Sequence, residues 1–274
     1  MDRNGEELAR EIYAYIIAAN LNEVKNPRET AKKLAPVMEI PETVLYEKLT
    51  KKTHTVELKN GGNFKVSKEK RDQIMSLGLS GIYSIRTTGR SYVEETLAAH
   101  VLGFINVEGK AIGGVEEFYD DVLRGKQGKL RYRKDNRGVM ISDPQQFVPP
   151  EDGDHLVLTL DRRIQQLTED ALDKGMNKYQ PRHATAIVVD PQTGEVLAMA
   201  NRPTYNPNQF AQTWKSGVND RNIAVQNQYE PGSTFKIVTL AAAIEGGKFD
   251  AQALFTSGPI KGEGRIIRDW NPEV

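Results

Sequence analysis

Between residues 230 and 236 the chain reads Glu230-Pro231-Gly232-Ser233-Thr234-Phe235-Lys236, and an apolar run follows over residues 237–244. Proline and glycine interrupt regular structure, and the run after them is rich in strong helix formers. The sequence therefore predicts a helix whose first turn contains Ser233. At positions i and i+3 of that helix Ser233 and Lys236 share one face, so the amine can approach the hydroxyl.

This arrangement is typical of an activated serine nucleophile. A serine hydroxyl needs a neighbouring base, and a lysine serves only where desolvation or nearby cations lower its pKa. We expect the apolar helix to bury Lys236, and backbone N–H groups at the start of that helix to hold a developing oxyanion. The alternative is a helix-capping serine beside a lysine whose stem lies along the apolar surface.

The same spacing occurs a second time, at Ser67 and Lys70, within a charge-rich helix predicted over residues 67–77. A lysine on such a helix is solvated and has no reason to accept a proton. Spacing alone is therefore weak evidence, and the apolar run after Lys236 is what favours a catalytic role there.

Composition excludes several classes of protein. The 274 residues carry 37 basic and 37 acidic side chains. The net charge is therefore zero and gives no indication of nucleic-acid binding. Cysteine is absent, which excludes disulfides, thiolate catalysis and cysteine-ligated zinc, and the four histidines form no ligand pair. We expect no metal and no cofactor. The apolar stretch 12–19 is too short to span a bilayer, and residues 1–5 lack the features of a signal peptide.

Proline and acidic residues concentrate over residues 143–154, which predicts a boundary between a domain of residues 1–150 and one of residues 151–274. Turn residues and apolar spacing predict an α+β fold, with an elongated N-terminal module before an antiparallel sheet with helices. In the first domain we predict helices over 27–38, 41–52, 67–77 and 114–123, a strand over 81–86, and hairpins over 58–64 and 128–141. In the second we predict strands over 155–160, 184–189 and 195–200, the middle one continuously buried, and a helix capped by Asp161 with Ile164, Leu167, Ala171 and Leu172 on its apolar side.

The box around Ser233 resembles the active-site box of the penicillin-binding proteins, the D,D-transpeptidases that cross-link peptidoglycan. Further segments resemble boxes of the class B, monofunctional enzymes of the division and sporulation branch; they are Asp2-Arg3-Asn4-Gly5, residues 97–103, 114–125, 158–165 and 189–199. The resemblance extends over nearly the whole chain, in order. It implies a pedestal or dimerisation-type domain in residues 1–150 and the first part of a penicillin-binding transpeptidase domain in residues 151–274.

The resemblance also implies a mechanism. Ser233 would attack the carbonyl between the two D-alanines of a stem peptide while Lys236 takes its proton, and the acyl group would pass to an amine of a neighbouring stem. β-Lactams would acylate the same serine, and Arg221 and Asn222 would line the cleft. The implied partners are peptidoglycan stem peptides, β-lactams, and divisome proteins or a sporulation glycan polymerase. The implied location is the extracytoplasmic face of the bacterial cell membrane, with this chain a soluble ectodomain piece lacking its membrane anchor.

The family completes its site with a Ser-x-Asn box and a Lys-Thr-Gly box, and neither string occurs in these residues. We therefore expect a chain truncated after the Ser-x-x-Lys box, without the second oxyanion donor that the Lys-Thr-Gly strand would supply. Two other functions stay open. One is a β-lactam sensor or β-lactamase relative, which would use the same serine and lysine, and the other is a non-catalytic interaction module of the division machinery.

Three further features have simpler interpretations. His100 lies in an apolar stretch without a neighbouring ligand, which favours a packed structural histidine. The acidic set predicts a solvated helix face in preference to a metal site; its members are Glu116, Glu117, Asp120 and Asp121. A basic run over residues 124–137 predicts a solvated hairpin, the alternative being contact with an anionic polymer or a partner.

Overall fold

A computed structural model describes residues 1–59, 65–106, 108–131, 146–210, 221–254 and 258–268. Contacts divide the chain into two units, Met1–Asn227 and Gln228–Val274. Both units contain helices and antiparallel strands, which confirms the α+β class. The domain boundary near residue 150 stays a prediction.

Unit 1 begins with a four-stranded antiparallel sheet. Its central strand β1 is Ala9–Asn20, which pairs along one edge with β2 (Thr55–Glu57) and β3 (Lys65–Val66). Along the other edge β1 pairs with β4, Ile82–Tyr92, which is longer than the strand predicted over 81–86. The apolar stretch 12–19 forms most of β1, because branched and aromatic side chains favour strands.

Three helices pack against this sheet and confirm the predicted ones; they are α1 (Pro27–Met38), α2 (Glu42–Leu49) and α3 (Lys68–Ser76). Asn26 caps α1 by accepting from the N–H of Glu29. The helices and the sheet share a buried cluster that includes Ile17, Leu34, Leu45, Leu58 and Ile74. The hairpin predicted over 58–64 lies largely outside the described residues, and the strands on either side of it both pair with β1.

Short elements surround a second buried cluster that contains Tyr92, Leu97, Phe104 and Tyr205. They are α4 (Ala99–Leu102), β5 (Phe104–Ile105), β6 (Ala111–Ile112), α5 (Gly114–Phe118) and α6 (Asp120–Leu123). The single helix predicted over 114–123 is two helices, because Tyr119 has φ −108° and ψ 23°. Gly114 has φ +57°, and a Cβ there would lie 2.4 Å from the carbonyl oxygen of Val101, so only glycine fits.

The rest of unit 1 begins with a short strand pair and continues with a helix beside a two-stranded antiparallel sheet, followed by two short helical elements. The elements are β7 (Lys129–Arg131), β8 (Gln146–Val148), α7 (Arg162–Tyr179), β9 (Ala184–Val189), β10 (Val196–Arg202), a 3₁₀ turn (Pro207–Gln209) and α8 (Ile223–Gln226). Strands β9 and β10 pair with each other, and α7 packs on β10. Asp161 caps α7 as predicted, accepting from the N–H groups of Arg163 and Ile164.

The face predicted for α7 is wrong. Gln165 and Glu169 are its buried residues, whereas Leu167 is 68% exposed. The physical reason is that β10 presents backbone polar groups to the helix. Gln165 donates to the carbonyl oxygen of Met199 at 3.0 Å and accepts from its N–H at 2.8 Å.

Three strand predictions need correction. Residues 155–160 form no strand, and their backbone instead bonds to Met1, which donates to Leu156 at 2.9 Å and accepts from Leu158 at 3.0 Å. Strand β9 alternates in burial, because its sheet has one open face. Strand β7 pairs with β8, which lies in the predicted linker, while residues 138–141 of the predicted hairpin lie outside the described residues.

Unit 2 contains a 3₁₀ turn, a helix and a hairpin. The turn is Gly232–Phe235, and it runs directly into α9, Lys236–Glu245. The hairpin pairs β11 (Ile260–Gly262) with β12 (Arg265–Ile267). The predicted helix start at Ser233 is therefore confirmed, with its first turn in the tighter 3₁₀ form.

Candidate active site

Ser233 lies in the 3₁₀ turn that opens α9. Gly232, the residue before it, has φ +55° in open space, so glycine is required there by backbone conformation and not by crowding. The N–H of Lys236 donates to the carbonyl oxygen of Ser233. In a 3₁₀ turn the side chains at i and i+3 eclipse each other, so the backbone itself places the hydroxyl and the amine on one side.

The second Ser-x-x-Lys pair has a different structure. The hydroxyl of Ser67 accepts from the N–H of Lys70 at 3.3 Å, so Ser67 is an N-cap, and the amine of Lys70 bonds to Glu39 at 2.5 Å. The N-cap positions of the turn and of α9 are Pro231 and Phe235, and neither side chain makes a cap bond. Ser67 is therefore a capping serine, while the nucleophile role of Ser233 stays a prediction.

The burial predicted for Lys236 is absent within the described residues. Ser233 and Lys236 are both exposed, and so are apolar side chains of α9, with Ile237 75% and Ile244 55% exposed. The reason is that no described element of unit 2 covers the apolar side of this helix. Desolvation of Lys236 would need further protein around α9.

Arg221 and Asn222 lie in unit 1. Both line a cavity of about 500 Å³ together with His100, Glu117 and Val225. Asn222 is held on β10, because its amide nitrogen lies 3.2 Å from the sulfur of Met199 and its oxygen accepts from Asn201 at 2.8 Å. The cleft role of Arg221 and Asn222 stays a prediction.

The Asp-Arg-Asn-Gly box fastens the start of the chain to α7. The buried carboxylate of Asp2 accepts from the N–H groups of Asn4 (2.8 Å), Glu6 (2.9 Å) and Arg162 (3.1 Å). Asn4 donates to the cap residue Asp161 at 3.0 Å. Burial raises the pKa of Asp2, but these backbone hydrogen bonds outweigh it and hold the pKa below its usual value.

A buried ionic network that the sequence analysis missed joins α7 to the segment before α4. Glu169, 4% exposed, accepts from the N–H of Ala98 at 2.8 Å and from Arg202 at 3.2 Å. Arg202 also donates to Asp173 at 2.5 and 2.8 Å. The hydrogen bonds from Arg202 lower the pKa of Asp173. The signal available in the sequence was the i,i+4 spacing of Glu169 and Asp173, which puts two carboxylates on one helix face.

His100 is 6% exposed and packs edge-to-face on Tyr205 at 5.1 Å, as expected of a structural histidine. The prediction of a solvated acidic helix face is wrong for Glu116, which is 4% exposed and bonds to Arg90 at 2.7 Å. In the basic run Arg124 pairs with Asp120, and residues 132–137 lie outside the described residues.

Over the described part of the chain, no group of three His, Asp or Glu side chains could hold a metal ion. None of the helices described is both long and apolar enough to cross a membrane.

Two family models together match most of the chain. Residues 1–158 match the penicillin-binding protein dimerisation domain, and residues 184–274 match the penicillin-binding protein transpeptidase domain. Among curated proteins, Stage V sporulation protein D of Bacillus subtilis is 35% identical over 98% of this chain and 42% of its own length. Peptidoglycan D,D-transpeptidase FtsI of Escherichia coli is 34% identical over 74% of this chain and 34% of its own length. The chain thus spans less than half the length of these relatives.

Solved structures agree. A peptidoglycan synthetase from Bifidobacterium adolescentis superposes with a TM-score of 0.65 at 27% identity, covering 99% of this chain and 53% of that one. Penicillin-binding protein 2X from Streptococcus thermophilus gives 0.65 at 28%, covering 98% and 43%. With its dimerisation domain followed by part of a transpeptidase domain, this chain belongs to the class B penicillin-binding proteins.

Proposed function

We propose that the full-length protein is a peptidoglycan D,D-transpeptidase with Ser233 as the nucleophile and Lys236 as its base. The observation that carries the proposal is the 3₁₀ turn after Pro231-Gly232, in which Ser233 and Lys236 lie on one side. The match of residues 184–274 to the transpeptidase domain supports it.

In the proposed reaction the hydroxyl of Ser233 adds to the carbonyl carbon between two D-alanines, and Lys236 accepts the hydroxyl proton. The terminal D-alanine leaves as the amine, taking a proton from Lys236, and an acyl-enzyme remains. An amine of a neighbouring stem peptide then attacks the ester carbonyl carbon and gives a proton to Lys236, and the Ser233 oxygen leaves and takes that proton. The N–H of Ser233 is one donor to the oxyanion.

The partners follow from this chemistry. Stem peptides are the substrates, and β-lactams are inhibitors that acylate Ser233. Relatives named for sporulation and for peptidoglycan transpeptidation support a role in peptidoglycan synthesis. We propose divisome proteins or a sporulation glycan polymerase as protein partners, at the extracytoplasmic face of the membrane. We place a pedestal domain in residues 1–150 and the transpeptidase part in residues 151–274, with Arg221 and Asn222 at the cleft.

The test is release of D-alanine from a diacylated L-Lys-D-Ala-D-Ala peptide by the full-length protein, with an added D-amino acid as acceptor. A transpeptidase releases D-alanine and forms the exchange product, and Ser233→Ala abolishes both. A β-lactam sensor or β-lactamase relative reacts with penicillin but not with the peptide. A non-catalytic interaction module reacts with neither, and either of these results contradicts the proposal.

A further inference from the structure

Strand β4 has one long edge that no described strand covers, since β4 pairs only with β1 among the described residues. The hydrogen bonds of the Asn208 side chain show which backbone groups of β4 point toward this free edge. It accepts from the N–H of Tyr92 at 3.0 Å and donates to its carbonyl oxygen at 2.9 Å. The N–H of Val93, by contrast, donates to Leu8 at the β1 side.

Backbone polar groups alternate in direction along an antiparallel strand. The even-numbered residues before Tyr92 therefore direct both backbone groups away from β1; they are Ser84, Arg86, Thr88 and Arg90. One of these groups is already satisfied, because the amine of Lys65 donates to the carbonyl oxygen of Thr88 at 2.7 Å. The stem of Lys65 passes beside Gly89, where an added Cβ would lie 3.9 Å from its Cδ, an ordinary van der Waals distance.

Natural sheets protect their edges with bulges, prolines or short strands. β4 uses none of these between Ile82 and Tyr92, because its pairing with β1 runs without a register shift and the strand contains no proline. Asn208 covers one end of the edge and Lys65 covers one carbonyl. The backbone between them is left as a regular template for another strand.

The side chains beside this edge define what would bind. On one sheet face Tyr83 and Ile85 are 37% and 43% exposed. Further along the same face Ile12 of β1, opposite Gly89, is 37% exposed. On the other face the exposed guanidinium of Arg86 lies over the ring of Tyr13 at 3.7 Å. Cross-strand neighbours are most stable when apolar residues meet apolar ones and opposite charges meet. An added strand should therefore carry an acidic residue beside Arg86 and apolar residues beside Tyr83 and Ile85.

These same residues disfavour a second copy of the chain in two of the three central registers. Two β4 strands paired about Arg86 place Arg86 opposite itself, and pairing about Thr88 places Arg86 opposite Arg90. Pairing about Thr87 places Arg86 opposite Thr88, so even there Arg86 lacks the opposite charge that an acidic segment would supply. Like charges directly opposite each other destabilise a strand pair. We propose that the free edge of β4 binds an extended segment of a partner protein, with alternating apolar and acidic side chains, by strand addition. This inference is independent of Ser233 and of the proposed function.

The probe for this site is a blocked heptapeptide of alternating glutamate and valine, with a lysine–valine peptide of the same length as its counterpart. With the 274-residue chain we expect the acidic peptide to bind roughly tenfold more tightly than the basic one. At saturation the N–H groups of Ser84, Arg86 and Thr88 should exchange with solvent about tenfold more slowly, because they become hydrogen-bonded. The odd-numbered amides already bond to β1 and should not change.

Two variants locate the binding. Thr88→Pro removes an N–H group that points toward the free edge, and it should weaken binding of the acidic peptide roughly tenfold. Thr88→Val keeps this N–H group and should leave the affinity unchanged. Arg86→Glu keeps the whole backbone and should reverse the preference between the two peptides, which tests the site even if Thr88→Pro fails to fold. Equal binding of both peptides, no binding, or protection elsewhere contradicts the proposal. A dimer in sedimentation that Thr88→Pro removes would make a second copy the occupant and also overturn it.

Discussion

The backbone N–H of Lys236 donates to the carbonyl oxygen of Ser233 and closes the turn that begins α9. This bond sets the relative position of the two side chains through the local backbone. The turn depends on Gly232, whose φ of +55° strains any other residue. What it does not supply is burial, since both side chains are exposed.

Replacing Lys236 by arginine tests its role as a base. Arginine keeps the positive charge but does not give up its proton near neutral pH. We expect Lys236→Arg to slow acylation of the full-length protein by a fluorescent penicillin about 100-fold or more. Lys70→Arg is the matched control, because Lys70 lies at the same spacing and bonds to Glu39. An unchanged rate for Lys236→Arg would mean that another group accepts the proton.

The network around Glu169 predicts a large loss of stability when its acid is removed. Glu169→Ala leaves Arg202 with one carboxylate partner fewer and Ala98 without its acceptor. Breaking such a buried pair typically costs about 3–5 kcal/mol of the free energy of unfolding. Lys33→Ala is the control, since its pair with Glu29 is half exposed and should contribute no more than ~1 kcal/mol.

Urea unfolding at neutral pH measures both variants. The double variant Glu169→Leu with Arg202→Met should lose less than the sum of its single changes, because no charge is left buried without a partner. Equal losses for Glu169→Ala and Lys33→Ala would show that the network contributes nothing beyond a surface pair.

Sequence analysis predicts the helices, strands and caps of this chain better than the contacts between them. The cap at Asp161 and the helix start at Ser233 depend on residues close in the chain, and the structure confirms both. The inward face of α7 was missed because Gln165 bonds to the backbone of Met199, a relationship across 34 positions. Polar residues that meet only after folding leave no periodic pattern to detect.

The candidate site shows the same limit. The Ser-x-x-Lys spacing identifies two pairs, and only the apolar run after Lys236 separates the pair at Ser233 from the pair at Ser67 in the sequence, so the catalytic role of Ser233 stays a prediction. The burial of Lys236, however, depends on elements that would cover α9, and spacing within one helix contains no information about them.

Acid should weaken the attachment of the first residues to α7. Burial raises the pKa of Asp2, but hydrogen bonds from the N–H groups of Arg162, Glu6 and Asn4 lower it further than burial raises it. Because the folded pKa is below the unfolded value of about 3.9, this stabilisation is present above that pH and is lost as pH falls through the folded pKa.

Asp2→Ala should therefore cost about 1–3 kcal/mol at pH 7, because three backbone N–H groups lose their acceptor. The difference in the free energy of unfolding between this variant and the unsubstituted protein should become smaller below pH ~4. Urea unfolding between pH 7 and pH 3 measures it, with Asp72→Ala as an exposed control. A difference that stays constant over this range would contradict the role of the ionised carboxylate.

Limited proteolysis tests the predicted domain boundary. Proline density places it within residues 143–154, and the Asn-rich segment 201–228 is the second expected site of cleavage. We expect cleavage at one of these before any within residues 114–123, where Gly114 lies against the backbone of Val101. Early cleavage within 114–123, with residues 149–153 protected, would contradict the two-domain layout.

The most direct measurement is the mass of the full-length protein after reaction with benzylpenicillin, followed by peptide mapping. We predict a covalent adduct of one penicillin on the peptide that contains Ser233, abolished by Ser233→Ala and unaffected by Ser67→Ala, because the Ser67 hydroxyl accepts a cap bond and the amine of Lys70 is paired with Glu39. An adduct that persists in Ser233→Ala, or that maps to Ser67, would contradict the assignment of the nucleophile.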